Sequence, residues 1–453
     1  MKELILIITL MMLFISTSIF ALDLNVKNYG AVANGKTDCT KAFQTALDKA
    51  FKAGGGKVKV PFGTYLIKGN LKIPYNVTLL GDWEAPPAPT KLHPKNLTVL
   101  GDENLVNAKE ALIAGTVLLA TAGEGDENGI PFIEMSRNAT LKGVIIHYPN
   151  QVYDKDPIPY PWTVRGIGDN ISIIDCLFVN PYMAVDFGTN PAGRHLIRNL
   201  YAQAIYKGLF IDKCYDVGRL ENVHFWPFWS AHVLTGNSTK TLDDWTLKNG
   251  TAFIFSRSDW EYVSNCFAIS YYIGMHFKTS APDGAGNYLL SQSGSDGCDI
   301  AAYVEEAQAH AGISFSNSQM FGKIIIGPKN HAPVRFSSCG FFGTQVEKDP
   351  ADTETILIQG GANVTFNNCH FYAINGRTNV PVYIRQERNN LTVTNNLFMM
   401  NDFLDPIPLV IEEGAHSTIF AQNTIWSHKK VVNNKKEPSE RIIIKDNIYA
   451  DTK

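Results

Sequence analysis

A chain of 453 residues, 45% hydrophobic and 18% charged, is long enough and apolar enough to bury an extended core. Its formal charge of −3 excludes the broad basic field that attracts nucleic acid or an anionic membrane surface. An anionic polymer would have to be met by a local patch.

Residues 4–15 form an apolar run behind Lys2, followed by Ser16-Thr17-Ser18 and Ala21. This reads as a secretory signal peptide over residues 1–21, too short to span a bilayer. The expectation is an exported protein, extracellular or periplasmic, with no membrane attachment once the signal is removed. Residues 22–453 read as a single domain: 22–81 an amino-terminal cap and first strands, 82–142 an irregular excursion and early turns, 143–450 repeated coils.

In the cap, a helix is predicted from about Thr37 to Ala53, with Ala42, Phe43, Ala46, Leu47 and Ala50 on one face and Gly54-Gly55-Gly56 stopping it. Strands follow in Val58-Lys59-Val60-Pro61 and Asn76-Val77-Thr78-Leu79-Leu80. The chain then turns Pro-rich, and later interruptions fall at Asn150–Arg165 and Gly236–Gly250. Loops leaving a rigid scaffold are where binding groups concentrate.

Down the last two-thirds of the chain a short pattern recurs: an apolar residue, two residues, an anchor, one residue, and a further apolar residue. The anchors are Val144, Cys176, Leu200, Val223, Cys266, Ser318, Cys339, Cys369, Asn396, Asn423 and Asn447, and eight of the eleven follow Asn or Asp. Successive spacings are 32, 24, 23, 43, 52, 21, 30, 27, 27 and 24, and the two largest suggest a weakened copy inside each. A period of this size means stacked units, and each unit has period-two apolar residues, turn chemistry and no room for a helix. The chain is therefore expected to be all-β, a single-stranded right-handed parallel β-helix with an amino-terminal capping α-helix. Of the seven cysteines, Cys176, Cys266, Cys339 and Cys369 share the anchor position and are read as small apolar residues stacked inside. No cysteine spacing resembles a metal site, and no metal ligands are assigned.

Several segments carry a resemblance. Asn28-Tyr29-Gly30-Ala31 with the following Gly-Lys-Thr-Asp, the Gly54-Gly55-Gly56 stop and Val60-Pro61-Phe62-Gly63-Thr64-Tyr65 resemble the amino-terminal signature of the pectate-lyase superfamily. That group includes rhamnogalacturonase/epimerase-like domains and relatives of polygalacturonases. Glu221-Asn222-Val223-His224-Phe225-Trp226 and Gly250-Thr251-Ala252-Phe253-Ile254-Phe255 look like an exported bacterial branch of it. The resemblance implies the β-helix and a polysaccharide partner. The Gly-His-Gly and Arg-x-Lys of polygalacturonases are missing here, so their mechanism does not transfer.

Alternation along the coils places Tyr201, His224 and Trp226 outward on one strand, and Asp186, Asp212, His232, His276 and Lys278 outward on a second. Asp186 and Asp212 on adjacent turns could sit at the separation that a glycosidase's two carboxyl groups require, one protonated and one ionised. The competing reading gives each carboxylate to turn hydrogen bonds. Lyase chemistry asks instead for a base and a cation beside a uronate carboxylate. Lys278, Arg194 and Arg257 are candidates, with Ca²⁺ held by Asp186 and Asp212. Tyr160, Trp162, Trp226, Trp229 and Trp260 offer flat faces for sugar rings, and Asp259 offers an acidic contact beside them. Two readings follow: an exported hydrolase or lyase cleaving a polysaccharide along the coil face, or a noncatalytic glycan-binding or adhesion protein using the same rings.

Overall fold

The computed structural model describes residues 23–83, 115–151, 155–226, 240–343, 354–360, 363–372, 381–400 and 405–449. The amino-terminal apolar run, the Pro-rich stretch, Trp229 and His232 lie outside these residues. Strands pair in parallel, coil upon coil, in a long sheet of 27 strands and a short sheet of 13. A typical coil gives two strands to the long sheet and one to the short, as in Glu261–Ser264, Phe267–Ile269 and Ile273–Phe277. The expected right-handed parallel β-helix is the fold.

The residue before each anchor makes the corner between the two long-sheet strands. Asp175, Asn199, Asn222, Asn265, Asn317, Asn368 and Asn395 all take φ between 49° and 58°. Asn and Asp tolerate the left-handed region better than other side chains that carry a Cβ, which explains the motif. A corner interrupts the strand ladder, so a backbone N–H there needs another acceptor. Side chains at the anchors supply it. Asn423 Oδ1 accepts from the Asn396 backbone N–H and from its Nδ2, both at 3.0 Å, and Asn396 Oδ1 accepts from Cys369 N–H at 2.7 Å. Ser293 Oγ accepts from Cys266 N–H at 3.0 Å. The anchor cysteines are buried and free, as the shared position implied.

Ser293 is the copy concealed in the 52-residue gap, since Ser318 Oγ accepts in turn from Ser293 N–H at 3.3 Å. The 43-residue gap hides no coil. His224 pairs directly with Phe267 on the next rung, and the intervening residues include a helix, Lys240–Asn249 (α2).

Inside, stacking at the strand spacing aligns like residues. Phe315, Phe336 and Phe366 lie face to face with centroids 4.9 Å apart at each step, close to the spacing of paired strands. The amino-terminal end is closed by the helix Thr40–Lys52 (α1), which buries the five residues its periodicity predicts. Its glycine stop is required by space: a Cβ on Gly55 would lie 2.7 Å from the Asn76 carbonyl oxygen. Among the described residues no helix is long and apolar enough to cross a membrane.

Candidate functional site

The short sheet presents an outward residue from the middle of each strand. In register across the central coils these are Arg165, Asp186, Phe210, Ile254, His276 and Tyr303. The column begins charged, with Arg165 Nε 2.6 Å from Asp186. It continues as an aromatic floor. Trp162 stacks on Phe210 with centroids 6.5 Å apart, and His276 on Tyr303 at 5.0 Å.

Lys207 opens the strand Lys207–Ile211 at the edge of this floor. Its ammonium stands 4.5 Å from the centre of the Tyr206 ring, a cation–π contact. Tyr206 packs on Tyr182 and on Trp245 of α2, at 5.3 and 5.7 Å. Burial holds the Lys207 amine below the ordinary lysine range; Glu127 and Asp186 oppose that shift and Lys278 adds to it. A shift in that direction enlarges the neutral fraction of the amine, the form that can take a proton. His276 is similarly biased to neutrality, first by burial and then by Lys278, against the pull of Glu305. Its Nε2 lies 3.3 Å from Glu305 Oε2. A half-buried amine of lowered basicity, a second lysine and flat rings on one rigid face can hold an anionic sugar and move a proton.

Asp186 and Asp212 project from neighbouring coils, as alternation required, but their oxygens are engaged. Asp186 is fully buried; besides Arg165 it accepts from the backbone N–H groups of Gly188 and Thr189 at 3.0 and 2.8 Å. Asp212 accepts from Lys213 and Arg257 N–H groups and from Ser280 Oγ at 2.8, 3.0 and 2.9 Å. Both thus serve corners and turns, and neither presents a vacant carboxylate to a sugar or to Ca²⁺.

The remaining predicted residues are dispersed. Arg194 pairs with Asp169 and Asp216 at 2.8 and 3.6 Å. Arg257 pairs with Asp259 at 2.8 Å. Tyr160 is fully buried. Trp162 is 7% exposed, whereas Trp260, 53% exposed, stands on an outer corner with Nε1 donating to Tyr262 at 2.9 Å. Tyr201, His224 and Trp226 lie on the outer side of the long sheet, away from the Lys207 face. There Tyr201 is covered within a second apolar cluster with Trp83, Ile145 and Leu177. His224 stacks on Trp226 at 5.4 Å, and burial lowers its pKa to about 4. A shallow depression of about 450 Å³ on later coils is lined by Asn368, His370, Asn395, Leu397, Gln422 and Thr424; it offers no acid or lysine.

Residues 24–276 match the family described as rhamnogalacturonase A/epimerase, pectate lyase-like. The match takes in α1, the early coils and the Lys207 face as far as His276. The chain belongs to this family. Curated relatives match in short segments. Alginate lyase 7 of Azotobacter vinelandii is 52% identical over 48 residues, 11% of this chain and 6% of that protein. Mannuronan C5-epimerase AlgE5 of the same organism is 42% identical over 67 residues, 13% and 7% of the two chains. The preneck appendage protein of Bacillus phage PZA is 28% identical over 145 residues, 32% and 16%. The matches span less than a fifth of each relative's own length. Among solved structures, an amino-terminal fragment of bacteriophage phi29 gene product 12 superposes with a TM-score of 0.54 at 15% identity, covering 97% of this chain and 74% of that one. A tailspike of E. coli bacteriophage HK620, in complex with a pentasaccharide, gives 0.53 at 10% identity, covering 91% and 78%. These two likenesses bear on the fold.

Lys207 was not among the residues the sequence singled out. By strict alternation it shares the parity of Leu209 and Ile211, which are buried, so a count along the strand sends it inside. The rings that frame it come from residues 182, 206 and 245, the last across the α2 excursion. The one signal available was Tyr206-Lys207 immediately ahead of an apolar strand.

Proposed function

We propose that this family member acts, after export, on a uronate-containing polysaccharide, removing the proton beside the uronate carboxylate on the outer face of the short sheet. Lys207 is the base. Its neutral amine takes the proton, while Lys278 offsets the negative charge that grows on the carboxylate; the rings of Phe210 and Tyr206 support the sugar. Departure of the neighbouring glycosidic oxygen, which takes a proton from water, completes a β-elimination, and return of a proton from water to the opposite face completes an epimerisation. The observation that carries the reading is the half-buried Lys207 amine of lowered basicity, held over the Tyr206 ring at the edge of the aromatic floor. The segmental likeness to an alginate lyase and to mannuronan C5-epimerases supports the substrate class.

The test is incubation of the purified chain with a panel of polyuronates in heavy water, recording unsaturated-uronate absorbance and deuterium uptake. Absorbance marks elimination, and uptake without absorbance marks epimerisation. Lys207→Arg separates the roles, because arginine keeps the positive charge but cannot give up its proton. Turnover is expected to fall by at least about 100-fold in this variant, the usual range of a lost general base. New reducing ends without absorbance or uptake would replace the reading with hydrolysis. Binding without turnover would favour the noncatalytic reading, which the engagement of Asp186 and Asp212 also supports.

A further inference from the structure

Each coil turns a corner as it passes from the short sheet back to the long one. On three consecutive coils that corner holds His195, Cys214 and Glu261, all fully buried. One ligand atom from each lies within 4.8 Å of the other two. His195 precedes the strand Leu196–Ala202, Cys214 follows Lys207–Ile211, and Glu261 begins Glu261–Ser264. Spacings of 19 and 47 residues match no sequence motif, because the β-helix, not the local chain, brings the three together.

The hydrogen bonds around the trio define its protonation. His195 Nδ1 is 2.7 Å from the Ala192 carbonyl oxygen. A carbonyl only accepts, so Nδ1 carries the proton. His195 Nε2 lies 2.8 Å from Glu261 Oε1, whose other oxygen accepts from Ser258 Oγ at 2.7 Å. At that distance the ring nitrogen and the carboxylate share a proton directly, so a metal ion would take that proton's place and draw the two atoms slightly apart. Cys214 Sγ stands 2.6 Å from the Asp216 carbonyl oxygen at the edge of the group. Gly218 makes room for the carboxylate: a Cβ there would lie 2.2 Å from Glu261 Oε2.

We propose that His195, Cys214 and Glu261 form a zinc site that ties three coils together. The ligand types suit Zn²⁺, and the surrounding hydrogen bonds are those that orient metal ligands: Nδ1–H to a backbone carbonyl, and the distal carboxylate oxygen to a hydroxyl. The charges also balance. Zn²⁺ displaces the proton on Nε2 and the Cys214 thiol proton, both of which leave to water. Neutral imidazole, thiolate and carboxylate then neutralise the ion, as a buried site requires. Coordination moves Cys214 Sγ away from the Asp216 carbonyl and towards the imidazole. Ser258 Oγ and the Asp216 carbonyl border the site as fourth donors. With no exposed ligand atom, the ion enters as the coils close during folding.

The experiment uses the full chain. Metal content of the purified protein is measured, and the protein is then unfolded and refolded with Zn²⁺, with Co²⁺ or with chelator. The expected result is one equivalent of metal per chain, a thiolate-to-cobalt charge-transfer band, and a lower melting temperature after refolding in chelator. Cys214→Ser is expected to lose the band while retaining the β-sheet circular dichroism. Native circular dichroism with neither metal bound, at stoichiometric excess, would overturn the proposal and leave a buried His195–Glu261 ion pair. Should Cys214→Ser fail to fold, the wild-type metal stoichiometry and cobalt band still decide.

Discussion

His147 ends the strand Ile145–His147 on the outer side of the long sheet, only 5% exposed. Burial alone lowers its pKa from 6.5 to about 4. Between those values the unfolded chain binds a proton that the folded chain does not. Stability is therefore complete above the unfolded pKa and falls as pH drops towards the folded one. From about pH 7 to about pH 5 the loss attributable to this residue is about 2 kcal/mol. His224, with its pKa also lowered to about 4 by burial, pushes in the same direction. Urea midpoints measured across that interval should fall in the wild type and fall distinctly less in His147→Leu; equal slopes would show that His147 is solvated or partnered in the folded chain. At this scale the sequence is least legible. It places Asp186 and Asp212 on the outside of neighbouring coils, yet turn N–H groups and an arginine occupy their oxygens. Lys207 owes its lowered basicity first to burial; Tyr206-Lys207 is its one local trace, and the Tyr182 and Trp245 rings that pack on Tyr206 come from distant parts of the chain.

At the scale of the element, the motif was legible because one physical demand recurs in every coil. A left-handed corner favours Asn or Asp, and the broken ladder behind it asks for a buried acceptor. Those demands leave a sequence trace wherever the acceptor is Ser or Asn, and a weaker one where apolar anchors such as Leu200 and Val223 stand. The helix α1 was legible for the same reason, since one face had to be apolar. The interruption at Gly236–Gly250 was legible too, but not that it is helical nor that it alone fills the 43-residue spacing, which mimicked a hidden coil. The inner Asn ladder yields a prediction. Asn423→Ala removes the acceptor of two Asn396 donors and the donor to the Val393 carbonyl at 3.0 Å. Unmet buried groups cost about 1–3 kcal/mol each, so a loss of about 3 kcal/mol or more is expected, read as a shift in the denaturation midpoint. Asn423→Ser, which retains an acceptor, should recover part of it. Because coils contact only their neighbours, turnover below the melting temperature should be unchanged in either variant.

Across the whole molecule, stacking fixes the length of the functional face. From Arg165 to Tyr303 the outward column crosses five coil-to-coil steps, which at about 4.8 Å each gives a floor of about 24 Å. Lys207 and Lys278 lie within that span, the one at the edge of the early rings and the other beside His276. A polymer lying along the column would meet rings and cations in succession, so each added sugar gains contact until the oligomer reaches the end. Catalytic efficiency on uronate oligomers should therefore rise steeply with length and level off once the chain covers about 24 Å. The same series in high salt should lose affinity most for the oligomers that reach Lys278, because ionic contacts on a half-buried face remain open to screening. Truncation by substitution checks the geometry independently. Phe210→Ala removes the ring that Trp162 stacks on and should weaken long and short oligomers alike. Tyr303→Ala, at the far end of the column, should weaken only those long enough to reach it. A length dependence insensitive to both would mean that the polymer crosses the coils elsewhere, with the exposed Trp260 corner as the next surface to substitute.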